Sequence, residues 1–239
     1  MSESSKAVSV GRVVGLWRYA VKSMAAESLD NVTVSWHGLE ADRRWAFVRS
    51  NAARSGFPWF TLRQLNDMNK YVPSFVDPLK PETSKTVVQT PSGDVFDIDD
   101  PALGLALCSD GAQVIKQDRG VFDTFPLSLI TTQTVARLGE MVGDELDVLR
   151  FRPNILIEAD VDKPFVEDTW IGNTISIGAL RMRVDQRDSR CVVITIDPST
   201  GERNPEVLRT VTDQRQRCLG VYGSTVEPAR IALGDSVRL

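Results

Sequence analysis

One cysteine stands in an arginine-rich stretch at residues 186–204, QRDSRCVVITIDPSTGERN. Arg187 and Arg190 lie within four residues of Cys191, and positive charge beside a thiol favours the thiolate, the form that attacks substrates or binds metals. Free cysteines are also often buried as small apolar side chains. The residues alone therefore leave two interpretations of Cys191 open, a reactive thiol and a core position.

Basic and hydroxyl side chains follow the first predicted strand, residues 8–19, and recur in the next part of the chain. Lys22 and Ser23 occur in YAVKSM, and Arg43 and Arg44 occur in ADRRWAF. If these side chains converge, they would bind a phosphate through charge-assisted hydrogen bonds. Taken singly, each is better explained as a solvated loop residue.

A third polar group precedes a predicted buried strand at residues 151–159, FRPNILIEA. Arg152 and Asn154 flank Pro153, which stiffens the loop. Polar loop residues on a rigid scaffold often bind ligands. A surface turn is the alternative interpretation of this segment.

The composition limits the classes of function. The 239 residues are 42% hydrophobic and 25% charged, with a net charge of −4, which is typical of a globular protein. The negative balance argues against nucleic acid or an anionic membrane as the main partner. The N-terminal MSESSKAVSVGR lacks the apolar stretch of a secretion signal, and no window is apolar enough to span a membrane.

Common catalytic motifs are missing from the sequence. There is no GxGxxG, GxxxxGK[ST], HExxH or GxSxG, the usual signatures of phosphate loops, zinc proteases and hydrolases. A single histidine, His37, makes a histidine-rich metal site improbable. Three cysteines without close spacing do not predict a disulfide framework, so we expect a cytoplasmic protein.

The pattern of short strands predicts a mainly β (α+β) fold rich in β-barrel structure. Residues 86–99 read as a hairpin because PSGD supplies a turn between two alternating runs. Residues 127–143 contain a helix that Thr131 or Thr132 caps and Gly143 ends. A second helix follows the cap residue Asn204, and CVVITID at residues 191–197 predicts a strand.

Seven segments, taken in chain order, resemble the MOSC family, the C-terminal module of molybdenum cofactor sulfurases. They are GLWRYAVKSM, GLEADRRWAFV, TLRQ, FRPNILIE, FVEDTWIGNTISIG, RCVVITIDPSTG and LGDSV. The resemblance implies a β-barrel MOSC domain at residues 123–239 and an N-terminal β-barrel-like segment at residues 8–122, with a few short helices. The same architecture occurs in the mitochondrial amidoxime reducing components and their bacterial relatives, which reduce N-hydroxylated compounds.

The resemblance also implies a site for the molybdenum cofactor (molybdopterin). Cys191, in the Arg-Cys pair, would be the molybdenum ligand and the catalytic residue, and a soft thiolate suits this metal. The residues implied to bind the cofactor are Lys22, Ser23, Arg43, Ser128, Thr132, Arg152, Asn154, Thr195 and Asp197. Thr195 and Asp197 are expected to share one strand face with Cys191. Asp188 stands where the amidoxime reductases often carry a second cysteine.

The implied function is a molybdenum-dependent oxidoreductase that reduces small N-hydroxylated or related N–O substrates. Because no ferredoxin module follows LGDSVRL, we expect electrons from a separate ferredoxin, flavoprotein reductase or similar protein. The alternative is a sulfur carrier or cofactor delivery protein with a persulfide on Cys191. A third possibility is a barrel scaffold without metal, in which Lys22, Arg43 and Arg152 would be scattered.

Overall fold

The computed structural model describes residues 8–50, 52 and 54–239. Predictions about residues 1–7, including part of the segment expected to lack a secretion signal, lie outside the described residues. The strands are β1 Ser9–Arg18, β2 Glu27–Ser28, β3 Asn31–Ser35, β4 Gly38–Leu39, β5 Trp45–Arg49, β6 Trp59–Phe60, β7 Val72–Phe75, β8 Thr86–Gln89, β9 Val95–Asp97, β10 Ala112–Lys116, β11 Leu127–Thr131, β12 Ile155–Ala159, β13 Thr174–Ile177, β14 Leu180–Ser189, β15 Cys218–Glu227, β16 Ala229–Ala232 and β17 Ser236–Arg238. The α-helices are α1 Pro101–Leu107, α2 Thr132–Val142 and α3 Pro205–Arg215.

Seven strands form a closed barrel, in the order β12-β11-β15-β14-β13-β17-β1. The barrel closes because β1 pairs with β17 on one side and with β12 on the other. This arrangement confirms the predicted mainly β fold with a β-barrel. The first strand of the chain therefore completes a barrel whose other six strands come from residues 127–238.

The barrel interior follows the alternation of apolar side chains along each strand. In β1, Val13 and Leu16 are buried, while Arg12, which directly precedes Val13, is exposed. Side chains from β12, β14 and β15 meet them in one apolar cluster. The pairing of β1 with β12 shifts in register between Val13 and Gly15, and a glycine inside a strand often marks such a bulge.

Residues 38–116 supply most of a second apolar cluster outside the barrel. Two three-stranded sheets, β10-β5-β6 and β7-β8-β9, lie in this part of the chain. Phe47, Met68 and Leu103 are buried in their shared core. The predicted hairpin at residues 86–99 is confirmed as the pair β8–β9.

The two predicted helices are present with the expected ends. The hydroxyl of Thr131 accepts a hydrogen bond from the Thr134 amide at the start of α2, and Gly143 ends the helix in the left-handed conformation. Asn204 caps α3, whose first residue is a proline. No helix within the described ranges is both long and apolar enough to cross a membrane.

The strand predicted at residues 191–197 is wrong. Val192–Thr195 is a 3-10 helix, and Cys191 is its N-terminal cap residue. The Thr195 hydroxyl donates to the Val192 carbonyl at 2.7 Å, and Arg150 donates to the Thr195 carbonyl at 2.9 Å. These bonds fold the segment back on itself. The further 3-10 helices are Asn66–Lys70, Val148–Phe151 and Val166–Trp170.

Candidate functional site

A pocket of about 110 Å³ lies at one end of the barrel. The strands β1 and β14 end at this pocket, and β11, β12 and β15 begin there. This follows from the strand directions, because β11 runs parallel to β12 whereas β1 and β14 run antiparallel to their neighbours. Its ionisable walls are mainly cationic. The cationic side chains are Lys22, Arg43, Arg63, Arg150, Arg152 and Arg190. Among the described residues, two carboxylates, Asp123 and Asp188, line it with them.

Cys191 lies on the wall of this pocket as a half-buried free thiol. Nη2 of Arg63 donates to the Cys191 Sγ at 3.2 Å, and such a contact favours a sulfur anion. The expectation that Arg187 supports the thiol is wrong, since it donates to the Arg215 carbonyl. The cation beside the thiol instead comes from the turn after β6, in the segment TLRQ.

Lys22 is buried beside the thiol's pocket and forms an ion pair with Asp123. Its Nζ donates to Asp123 Oδ1 at 2.5 Å and to the Val121 carbonyl at 3.0 Å. Burial lowers the pKa of Lys22, and Asp123 partly offsets this effect. Burial would raise the pKa of Asp123, but Lys22 and Arg63 lower it overall. The two groups are thus held together as a partly buried ion pair.

Arg43 is fixed by a buried carboxylate beneath the pocket. Asp42 is fully buried and forms an ion pair with Arg43, and it also accepts from the Tyr19 amide at 2.7 Å and from Asn154 Nδ2 at 3.1 Å. Asn154 Oδ1 in turn accepts from the Ser128 amide at 3.3 Å. Asn154 lines the pocket. Its side-chain amide also links the segment that carries Arg43 to the segment that carries Ser128.

Arg152 differs from Arg43 because it has no carboxylate partner in the described ranges. Its guanidinium stacks on the Tyr19 ring at 4.2 Å, and Arg43 stacks on the same ring at 4.5 Å. The Nη2 of Arg152 is buried without a hydrogen-bond partner in this part of the chain. Burial, together with the like charge of Arg43, lowers the pKa of Arg152 to about 10. An anion in the pocket would satisfy this cation.

Three pocket residues other than glycine adopt left-handed backbone conformations. The φ angles of Ser23, Arg43 and Arg152 are 70°, 51° and 52°. Such conformations are unfavourable for side chains with a Cβ atom, and they occur often at ligand sites. All three positions were among the predicted cofactor-binding residues.

The remaining predicted residues divide into two groups. Ser128 lines the pocket, where its Oγ donates to Asp188 Oδ2 at 3.2 Å. Thr132 begins α2 and faces a separate cleft with Val135. The expected shared face of Thr195 and Asp197 with Cys191 is wrong because the segment is helical, and neither residue lines the pocket. Asp197 pairs with Arg150 at 2.8 Å.

Sequence reasoning missed several lining residues, among them Arg63, Asp123, Arg150 and Tyr222. Arg63 lies within TLRQ, one of the seven segments of the family resemblance, so that motif carried the available signal. Asp123 is recognisable only through its pairing with Lys22, about one hundred positions away in the chain. No local pattern marks Tyr222, which lies in the middle of β15.

The pocket is suited to an anionic cofactor that brings most of its own metal ligands. Among the described residues no cluster of three or more His, Cys, Asp or Glu side chains could by itself bind a metal ion. Cys191 offers a single sulfur, and the unpartnered Nη2 of Arg152 offers a donor to an anion. This donor set fits the molybdenum cofactor, whose pterin carries a phosphate and two sulfur ligands.

Comparison with known proteins agrees with this fit. A model of the MOSC domain matches residues 116–238, and a model of the MOSC N-terminal beta barrel domain matches residues 10–93. A molybdenum cofactor sulfurase of Caenorhabditis briggsae is 26% identical over 255 residues, which cover 95% of this chain and 36% of that protein. Mitochondrial amidoxime-reducing component 1 of Homo sapiens is 30% identical over 131 residues, or 49% of this chain and 37% of that protein.

The chain thus spans about a third of the length of the curated relatives it matches. Among solved structures, the YUAD protein from Bacillus subtilis has the same fold with a TM-score of 0.50 and 10% sequence identity. The alignment covers 98% of this chain and 96% of that one.

Proposed function

This chain belongs to the MOSC domain family, and from that premise we propose that it binds the molybdenum cofactor at Cys191 and reduces small N–O substrates. The observation that carries the proposal is the convergence of Lys22, Arg43 and Arg152 on the pocket of Cys191. These residues come from three separate segments of the chain. In a barrel scaffold that binds no ligand, nothing would favour the clustering of three cationic side chains. The unsatisfied guanidinium of Arg152 supports an anionic occupant.

Each pocket residue has a chemical role under this proposal. Cys191 would supply the thiolate ligand, which Arg63 stabilises as an anion. Arg152 and Lys22 would bind the phosphate and the pterin edge through charge-assisted hydrogen bonds, with Arg43 and Ser23 beside them. When bound, the cofactor supplies the two-electron redox chemistry, and the protein positions and tunes it.

Reduction of an N-hydroxylated substrate consumes two electrons and two protons, and it releases water and the N–H product. The electrons would come from a separate iron–sulfur or flavin protein, and the protons from water through the pocket. The similarity to an amidoxime-reducing component supports this substrate class.

Metal analysis tests the proposal. Wild-type protein and the C191A variant would be produced in a host that makes the cofactor, and molybdenum and pterin would be quantified per chain. We expect near-stoichiometric molybdenum in wild type and a large loss in C191A. The matched control is C218A, since Cys218 is also a half-exposed free thiol but lies outside the pocket. Equal molybdenum contents in wild type and C191A would rule the proposal out.

A sulfur carrier is the second candidate function, and two observations favour it. Arg63 would stabilise a persulfide anion on Cys191 as well as a thiolate, and a molybdenum cofactor sulfurase aligns with 95% of this chain. A donor persulfide would transfer its outer sulfur to the Cys191 thiolate and be released as a thiolate. Intact mass after incubation with such a donor should show one added sulfur that C191A lacks. The absence of this adduct in wild type would exclude the carrier function.

A further inference from the structure

Asp188 is a buried carboxylate inside the candidate pocket. It is the last residue but one of β14 and lies three positions before Cys191. Only 1% of its surface is exposed. In the part of the chain that the structure describes, two acidic and six cationic residues line the pocket, and Asp188 provides a hydrogen-bond acceptor there.

The two oxygens of this carboxylate have different surroundings. Oδ2 accepts a hydrogen bond from Ser128 Oγ at 3.2 Å and lies 2.9 Å from Arg190 Nη2. Oδ1 is buried and accepts no hydrogen bond that meets geometric criteria from a described residue, although the Tyr222 hydroxyl lies close enough to the carboxyl group to lower its pKa. A buried acceptor without a donor is costly, and nearly all such groups in folded proteins have a partner. The open valence of Oδ1 therefore points to a donor that arrives with a ligand.

Most donors of the cationic walls have other partners, and the Nη2 of Arg190 lies 2.9 Å from Oδ2. Arg190 uses its Nε on the Leu219 carbonyl at 2.8 Å and its Nη1 on the Phe151 carbonyl at 2.7 Å. Arg43 is paired with Asp42, and Lys22 is paired with Asp123.

We propose that Asp188 determines the substrate preference of this pocket, because its Oδ1 accepts a hydrogen bond from an N–H or O–H group of the substrate. The site then prefers N-hydroxylated compounds, which bring such a donor, to N-oxides, which have an N–O bond but no donor. This inference rests on the proposed function, whose substrate class it narrows.

Protonation of Asp188 reverses the preference. Burial raises the pKa of Asp188 to about 6, against the opposing effects of Arg190, Tyr222, Ser128 and Arg43. The Tyr222 phenol stays neutral across this range, since burial raises its pKa further. Below this pH the carboxyl group becomes a donor and can bind the oxygen of an N-oxide.

Calorimetry on the oxidised holoprotein, without reductant, tests the inference separately from turnover. Benzamidoxime serves as the donor-bearing ligand and pyridine N-oxide as the ligand without a donor. At about pH 7.5, well above the usual range of a carboxyl group, wild type should bind benzamidoxime more tightly. The D188N variant should weaken benzamidoxime binding by about tenfold, the loss expected for a hydrogen bond to a charged group. It should also strengthen binding of the N-oxide, because an amide can donate.

The matched control is D185N on the same strand. Asp185 likewise accepts from a serine, Ser224 at 2.6 Å, and pairs with an arginine, Arg183 at 3.2 Å, but it does not line the pocket. Its ligand preference should equal that of wild type. If D188N does not fold, wild type alone decides, because the preference for benzamidoxime should fall as the pH is lowered from about 7.5 to about 5.

Each outcome bears on the inference. The inference is overturned if wild type shows no preference for benzamidoxime, or if neither D188N nor pH alters that preference. It is also overturned if wild type binds neither ligand. Selective binding without reduction by dithionite-reduced holoprotein would instead support the role of Asp188 and count against the proposed reaction.

Discussion

Arg63 donates a hydrogen bond to the sulfur of Cys191 at 3.2 Å, although the two residues are 128 positions apart in the chain. The guanidinium also stacks on the Phe57 ring at 4.7 Å, which limits its freedom. The N-terminal part of the chain thus supplies the cation that faces the thiol of the C-terminal part. This contact gives the first prediction.

The R63Q variant should slow alkylation of Cys191. The arginine stabilises the sulfur anion, which is the reactive form, so its loss should lower the rate with iodoacetamide several-fold at neutral pH. Peptide mass spectrometry would follow Cys191, with Cys218 as an internal reference. R181Q, which changes an exposed arginine of β14, should leave both rates unchanged. An equal effect of the two variants would contradict a specific role of Arg63.

The R152Q variant should lose cofactor without losing stability. Arg152 forms no ion pair within the described ranges, and its buried Nη2 has no hydrogen-bond partner there. Replacing it with a neutral side chain should therefore leave the Tm of the cofactor-free protein unchanged or raise it. The molybdenum content should fall about tenfold, because a charge-assisted contact is lost. A parallel loss of Tm and molybdenum would indicate a structural role.

The R43Q variant should behave in the opposite way. It would leave Asp42, which is fully buried, without its cation, and the loss of one partner from a buried ion pair costs about 3 kcal/mol. Urea denaturation of the cofactor-free protein would measure this change. R44Q is a suitable comparison, because the partner of Arg44 is Glu82, whose side chain is 40% exposed and can be solvated. Similar losses in the two variants would refute the prediction.

The stability of the protein should depend on pH through Asp188. Burial raises the pKa of its carboxyl group to about 6 in the folded state, well above the usual value in an unfolded chain. The folded state therefore takes up the proton at a higher pH than the unfolded state does. As the pH falls through 6, protonation of Asp188 stabilises the folded state relative to the unfolded state. Between about pH 7.5 and about pH 5, wild type should gain about 1 kcal/mol relative to D188N.

Denaturant titrations of both proteins at the two pH values would measure this difference. Other carboxyl groups titrate equally in the two proteins, so they cancel. A difference that is independent of pH would mean that Asp188 keeps one charge state throughout.

Local signals in the sequence predicted the ends of helices well. Thr131 with Gly143, and Asn204 with the following proline, act through their immediate neighbours and need no tertiary structure. The same kind of signal also marks α1, where Asp100 precedes Pro101 and its side chain accepts from the Ala102 amide. This helix is only seven residues long, too short for a helical periodicity to show in its sequence.

The segment after Cys191 could not be predicted from its own composition. Its β-branched residues favour a strand, but Ile194 and Ile196 pack into two different apolar clusters. The bond from Arg150 to the Thr195 carbonyl then fixes the 3-10 turn. These are tertiary contacts, which a local propensity does not contain. The family motifs identified Lys22, Arg43 and Arg152 because these residues lie within the motifs themselves. The contact of Arg63 with the thiol joins two distant segments of the chain, so it became evident only in three dimensions.

The place of β1 in the barrel has a consequence for how the chain is assembled. Leu16 pairs with Ile155, and Ser9 pairs with Arg238, so the ring joins the first and last strands of the described chain. A fragment that begins after β1 would leave the edges of β12 and β17 open to pairing with other molecules. During synthesis, closure has to wait until the final strand has emerged. The pocket, built at one end of this ring, can therefore form only after strand β17 has been made.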